Sequence, residues 1–308
     1  MKSRMAVIPR SRIFLSNYLD EVLTGIFLLM LIVLGLWRDA PIFEDIRSSG
    51  LAFRTLEFVC VALLISIAFF RYKVWPVLQD WFPFILSLMT YEGLKHMHAT
   101  AITTALGISL IDPVLLEIDQ ALFGAPAHLL AQRLIDGNSF ILLSLKVFYA
   151  GYYFLPGLVM GYLYFFADRT KFLLVRRSVV LCLYGGYVMY ILLPAAGPSF
   201  DPSQLGQTST GVMHAFAFAM QHLRYQFDCF PSLHTALPWT LTAVAWMYLT
   251  NWMRVGLVIC AFGSTAATIG LGFHYGSDVI GGILWCGTVV FLTHRSIPKS
   301  WAIKDAFV

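Results

Sequence analysis

Charge is what this sequence has least of. Only 12% of its 308 residues are Asp, Glu, Lys or Arg, against roughly 25% in soluble domains. With 58% hydrophobic residues and a mean hydropathy of +0.73, an ordinary soluble globular protein is excluded. Strict alternation of apolar and polar residues is lacking too, and the long continuous apolar runs rule out an outer-membrane barrel. No Walker-type glycine loop occurs, which disfavours a nucleotide triphosphatase. Cysteines are few: Cys60, Cys182, Cys229, Cys260 and Cys286 are scattered, mostly inside apolar runs. No two have metal-ligand spacing, so they read as small core residues with no disulfide framework. No small-residue cleavage site follows the first apolar run, which is expected to be an uncleaved span. No internal repeat is evident, and no polar segment is large enough to fold as a separate soluble domain.

What remains is an all-α fold, a polytopic membrane helical bundle. Apolar runs place eight transmembrane helices at about 19–37, 55–71, from 81, 140–166, 178–194, 231–249, 255–272 and 278–294. Span three is unusual in carrying Glu92, Lys95, His96 and His98 towards its far end. Residues 99–139 are less hydrophobic. Asp112-Pro113 reads as an N-cap with proline at the first helical position, opening an amphipathic helix that ends at Gly124. In it Glu117 and Asp119 interleave with Leu115, Leu116, Ile118 and Leu122. A second short helix is expected over 127–135, and both are expected to lie on the membrane surface. A further amphipathic piece lies around 211–223. With the amphipathic stretch 113–135 it would form a lateral vestibule for lipid tails.

The net charge of +4 does not point to nucleic acid; its distribution sets topology. Eight spans put both termini on one side. Fourteen Lys and Arg fall on that side and five on the other, and Lys95 and Lys146, within spans, complete the 21. The positive-inside rule makes the termini cytoplasmic. Arg176 and Arg177 read as markers of that side. Spans six and eight then start on the outer face, and the site they carry opens to the periplasm or cell exterior in a bacterium, or to the lumen in a eukaryote.

Two polar clusters open those spans: Phe230-Pro231-Ser232-Leu233-His234 and His274-Tyr275-Gly276-Ser277-Asp278. Histidine at a membrane helix end is costly and points to function. Four residues apart, His274 and Asp278 are expected on one face of a helix. The carboxylate would fix the imidazole tautomer, leaving the other ring nitrogen free to act as nucleophile or base. The alternative is a structural pair or a proton relay. At the other cluster, the free N–H groups of a helix start offer an anion site, with Ser232 adding a hydroxyl. His234, one turn in, is placed to protonate a leaving oxygen. Alone it would be an incidental histidine at a helix start. The two clusters together favour phosphoryl transfer through a phosphohistidine. Metal binding by His234, His274 and Asp278 is an alternative, but the hydrogen-bond reading needs no metal or other cofactor.

Pro231-Ser232-Leu233-His234 and His274-x-x-x-Asp278 resemble the second and third motifs of the type-2 phosphatidic acid phosphatase superfamily. The resemblance implies that His274 is the nucleophile, Asp278 orients it, His234 is the acid–base and Ser232 binds phosphate. It also implies a six-helix phosphatidic-acid-phosphatase-like core over 81–294, after two added helices in 1–80 and before a cytoplasmic tail at 295–308. There are departures. Leu233 stands for the usual glycine, Ala267-Thr268 for the Ser-Arg of the third motif, and no Lys or Arg occupies the first-motif region near Pro194-Ala195-Ala196-Gly197-Pro198. These features, with Asp119 to Gly124, are similar to the fungal inositol phosphorylceramide synthase branch and its bacterial relatives.

The phosphate then needs another cationic partner. Lys95 and Lys146, near outer span ends, are candidates, as is Arg224, with His222 beside it. Their bland readings are an ion pair with Glu92 or a snorkelling lysine, and a headgroup-facing loop arginine. His214, His96 and His98 read as surface or packing residues. Tyr152, Tyr153, Tyr184, Tyr187 and Tyr190 read as core or interface residues rather than substrate contacts. The expectation is an integral membrane phosphotransferase of inositolphosphotransferase type, acting on a membrane lipid with a lipid or polyol acceptor. With water as acceptor it would be a lipid phosphate phosphatase. The rival classes are a proton-coupled transporter using the His–Asp pair and a non-catalytic relative.

Overall fold

The computed structural model describes residues 20, 22–26, 76–95, 99–135, 138–200 and 224–296. Their regular structure is helical: α1 (Pro76–Lys95), α2 (Ala99–Leu106), α3 (Asp112–Phe123), α4 (Ala127–Ile135), α5 (Ser139–Gly151), α6 (Leu155–Tyr162), α7 (Arg169–Leu192), α8 (Leu233–Ala245), α9 (Asn251–Gly270) and α10 (Gly276–Ser296). A π-turn, Leu163–Ala167, prolongs α6. The only pairing of strand type among the described residues is an isolated bridge between Ala195 and Asp228.

Among the described residues three helices, α7, α9 and α10, are long and apolar enough to cross a membrane. Two bent pairs bring the number to five if each is one span: α3–α4, bent by 63°, and α5–α6, bent by 56°. Span four is therefore broken near Tyr152 rather than continuous. The first two expected spans lie outside the described residues, apart from Asp20 and residues 22–26. So do 211–223, His96, His98, His214 and His222.

The organising element is α8, which packs against α7, α9 and α10. Small residues set how closely it is approached. A Cβ on Gly282 of α10 would lie 2.6 Å from the Ser232 carbonyl oxygen, so only glycine lets the two helix starts meet. Leu241 of α8 and Phe172 and Val179 of α7 lie in the core that results.

α3 departs from the expected arrangement. Its apolar residues Val114, Ile118 and Leu122 face outward, Leu122 being 58% exposed, while Asp119 is fully buried. Asp119 thus points into the protein, while Glu117 and Gln120 stay exposed beside the outward apolar residues. Asp112 is also not an N-cap. It is the first helical residue after Ile111, and its carboxylate accepts the N–H groups of Ala196 and Gly197 at 3.0 and 2.8 Å. The expected end at Gly124 is observed, with φ 74 and its N–H bonded to Gln120.

Arg176 and Arg177, read as markers of one membrane face, also have a packing role. Both are buried around Asp20, with Arg176 Nε and Nη2 donating to its Oδ2 and Arg177 Nε to its Oδ1. Arg176 also donates to the Asp80 carbonyl and Arg177 to that of Ser296. Their charge serves to join α1, α7 and the end of α10.

Candidate active site

α9 ends in a tight turn. Gly272 has φ 75, and the N–H groups of Phe273 and His274 both donate to the Thr268 carbonyl. This turn delivers His274, which lies two residues before α10 rather than on it. His274 and Asp278 therefore meet across the entry to a helix, not along its face. Asp278 sits in the first turn of α10 and its Oδ2 accepts the Tyr275 N–H at 2.8 Å, the carboxylate half of a capping box. His274 Nδ1 lies 3.4 Å from the same oxygen.

The start of α8 is stitched to this turn. Ser232 N–H donates to the Asp278 carbonyl at 3.2 Å. Ser232 is fully buried, and its hydroxyl accepts from the Thr235 hydroxyl at 3.2 Å. The next two N–H groups, of Leu233 and His234, have no partner among the described residues, as the first turn of a helix requires.

His234 is held by aromatic rings. Tyr149 and Tyr152 stack on the imidazole with centroids 4.2 and 3.9 Å away. Two rings so near one face would overlap, so they take opposite faces. Tyr153 meets the imidazole edge-on at 5.7 Å. The break after α5 brings Tyr152 and Tyr153 here. The ring centroids of His234 and His274 are 6.1 Å apart. His234 Nε2 is buried and has no hydrogen-bond partner among the described residues.

Of the cationic candidates, Arg224 is brought close. Its guanidinium lies 5.7 Å from the ring centroid of Phe273, the neighbour of His274. Asp228 holds it through Nε at 2.7 Å, and Nη1 donates to Ser199 at 3.2 Å. Burial opposes the charge, but Asp228 beside it raises the pKa above its usual value, so it stays cationic. Tyr91 donates to the other Asp228 oxygen at 2.5 Å. Lys146 is half-buried on α5, one turn before Tyr149. Lys95 closes α1, and its side chain lies outside the described residues, as does that of Glu92.

Three residues of this region were not singled out from sequence for it. Asp119 accepts the N–H groups of Ala127, Gly276 and Ser277, tying the α3–α4 cap to the α10 start. Asp112 accepts from the Tyr275 hydroxyl at 3.2 Å. Seven residues apart on α3, the two carboxylates share a stripe, which is the signal that would have found them. Cys229, expected as a small core residue, lies with its Sγ 2.7 Å from Asp278 Oδ2. Burial, and then the Asp278 carboxylate, push this thiol's pKa up. Cys229, His274 and Asp278 form a three-donor group, and no spacing in sequence announces it.

The family model described as PAP2 superfamily matches residues 113–292, more than half the chain and all of the elements just described from α4 to α9. No curated protein and no solved structure matches it.

Proposed function

The chain belongs to the PAP2 superfamily, and from that premise we propose that it is an integral membrane phosphotransferase acting on a lipid phosphate or phospholipid, of inositolphosphotransferase type. Membership supports a phosphatase or phosphotransferase function, and the apolar helices fit an integral membrane protein. The observation that supports phosphoryl transfer is the meeting of His274, Asp278 and His234, with Nδ1 and Oδ2 3.4 Å apart and the imidazole centroids 6.1 Å apart, while the inositolphosphotransferase type rests on the sequence departures at Leu233, Thr268 and Pro194–Pro198.

In this reading Asp278 holds His274 with Nδ1 inward, and Nε2 attacks phosphorus. His234 protonates the leaving alcohol, then takes the proton from the acceptor hydroxyl. The partnerless N–H groups of Leu233 and His234 receive phosphate oxygens. Arg224 supplies the positive charge that the missing family arginine would provide, with Lys95 and Lys146 as further candidates. Ser232, its hydroxyl engaged by Thr235, acts by setting the helix start or by turning its hydroxyl to the phosphate. The termini are cytoplasmic and the site opens on the periplasmic side of a bacterial inner membrane, as the lysine and arginine asymmetry supports.

The test is a product assay on protein purified in detergent. Lipid phosphates and phosphatidylinositol are supplied with and without a ceramide or diacylglycerol acceptor. A new phosphodiester lipid formed only with acceptor, and lost in His274→Ala, is the expected result. Phosphate release lost in the same variant makes water the acceptor and the enzyme a lipid phosphatase. Absence of turnover in the wild type contradicts an enzymatic reading.

A further inference from the structure

The His274–Asp278 pair has a third neighbour that phosphoryl transfer does not use. Cys229 is fully buried in the loop before α8, with Sγ 2.7 Å from Asp278 Oδ2 and 3.4 Å from His274 Nδ1. Nδ1 and Oδ2 are themselves 3.4 Å apart. Thiol, imidazole and carboxylate thus each present a donor atom to one small volume. Such a mixed sulfur, nitrogen and oxygen set suits zinc and its tetrahedral analogues. Ordinary zinc–ligand lengths at a tetrahedral angle separate the donor atoms by about 3.3–3.5 Å. Two of the three edges already have that length, and the Sγ–Oδ2 edge has to open by less than about 1 Å.

A cation held at Oδ2 would also offset the charge on the other oxygen of the same carboxylate. Asp278 is 0% exposed, yet its Oδ1 has no hydrogen-bond partner among the described residues. A buried carboxylate oxygen left so is costly. The charges also close. A thiolate and a carboxylate against one divalent cation, with neutral imidazole, make a cluster of zero net charge, which a buried apolar site tolerates far better than an unpaired ion.

We propose that Cys229, His274 and Asp278 form a binding site for a thiophilic divalent cation, Zn2+ being the type, and that its occupancy switches phosphoryl transfer off. The site stands on the geometry; the switch rests on His274 acting as the nucleophile. As the cation binds, the thiol proton leaves to solvent and a sulfur–metal bond forms. The cation takes the Nδ1 lone pair, so the single proton of the neutral imidazole resides on Nε2. Nε2 then has no lone pair with which to attack phosphorus. Asp278, engaged by the cation, no longer holds the ring in its reactive tautomer. The fourth tetrahedral position is left for water.

The experiment uses the full chain, purified in detergent, stripped of metal and titrated with Co2+ alone. The expected result is a thiolate-to-cobalt charge-transfer absorption that saturates at one Co2+ per chain and is displaced by Zn2+. Cys182→Ala, which alters a buried cysteine elsewhere, keeps the band, and Cys229→Ser loses it. In the product assay, with each protein referred to its own metal-free rate, Zn2+ inhibits the wild type at concentrations at least tenfold below those needed for Cys229→Ser. No charge-transfer band in the wild type, or a band that survives Cys229→Ser, overturns the site. Equal zinc sensitivity of the two proteins overturns the switch. If the wild type turns nothing over, the switch falls with the functional reading, while the cobalt band still decides the site.

Discussion

The carboxylate of Asp119 accepts the backbone N–H groups of both Gly276 and Ser277, at 2.9 and 2.7 Å. A negative charge thereby sits on the N-terminus of α10, from a helix more than 150 residues earlier in the chain. It fixes the turn that carries His274 and Asp278. Asp119→Ala leaves buried N–H groups without an acceptor, at a cost on the order of 3 kcal/mol. The expected outcome is a lower melting temperature in detergent together with a large loss of turnover. Asp119→Asn, which keeps one acceptor oxygen, falls between.

His234 between Tyr149 and Tyr152 makes a second prediction. The two rings hold the imidazole plane, so its acid–base nitrogen keeps one direction. Tyr152→Phe preserves the stack and is expected to retain activity. Tyr152→Leu removes one face, and turnover falls about tenfold or more, part of the 100- to 10,000-fold such a group supplies. The fall is in kcat rather than KM, measured by steady-state kinetics.

Arg224 and Asp228 form a buried pair, with Nε donating to Oδ1 at 2.7 Å. Removing the arginine strands the carboxylate, so Arg224→Ala alone destabilises by about 3–5 kcal/mol. Arg224→Met combined with Asp228→Asn removes both charges and restores most of that stability. If Arg224 binds phosphate, the double variant still has a raised KM for anionic lipid. Thermal melting and kinetics on the two proteins separate the structural part from the binding part.

The Asp20 cluster is at the other end of α7 from the site. Asp20→Ala leaves Arg176 and Arg177 buried without their carboxylate, with an expected loss of about 3–5 kcal/mol. Turnover per folded molecule is expected to stay near wild type at temperatures where the variant is folded. Circular dichroism melting beside an activity assay checks both halves.

Hydrophobic periodicity and breaker residues were enough to locate the later helices. The runs expected at 231–249, 255–272 and 278–294 correspond to α8 with its 3-10 turn, α9 and α10. They read clearly because apolar residues fill them and Gly or Pro bounds them. Other features were hidden for physical reasons. His274 and Asp278 have helical spacing, but the helix begins only at Gly276, and a left-handed Gly272 makes the meeting instead. Asp119 read as part of a surface amphipathic helix because the N–H groups it accepts lie 8, 157 and 158 residues away. The packing role of Arg176 and Arg177 was hidden because their partner, Asp20, is 156 and 157 residues away. Cys229 touches a residue 49 positions later, and nothing local signals that contact.

The central claim is that phosphorus becomes bonded to His274. The most direct measurement is rapid acid-free quenching of the purified protein during turnover of a lipid labelled in its phosphate, followed by peptide mass spectrometry. The account predicts an acid-labile phosphoryl group on the peptide containing His274, absent in His274→Ala and accumulating in His234→Ala when the leaving alcohol needs no proton. Turnover of the labelled lipid with no phosphoryl group on His274 in either protein, or turnover undiminished in His274→Ala, would contradict it.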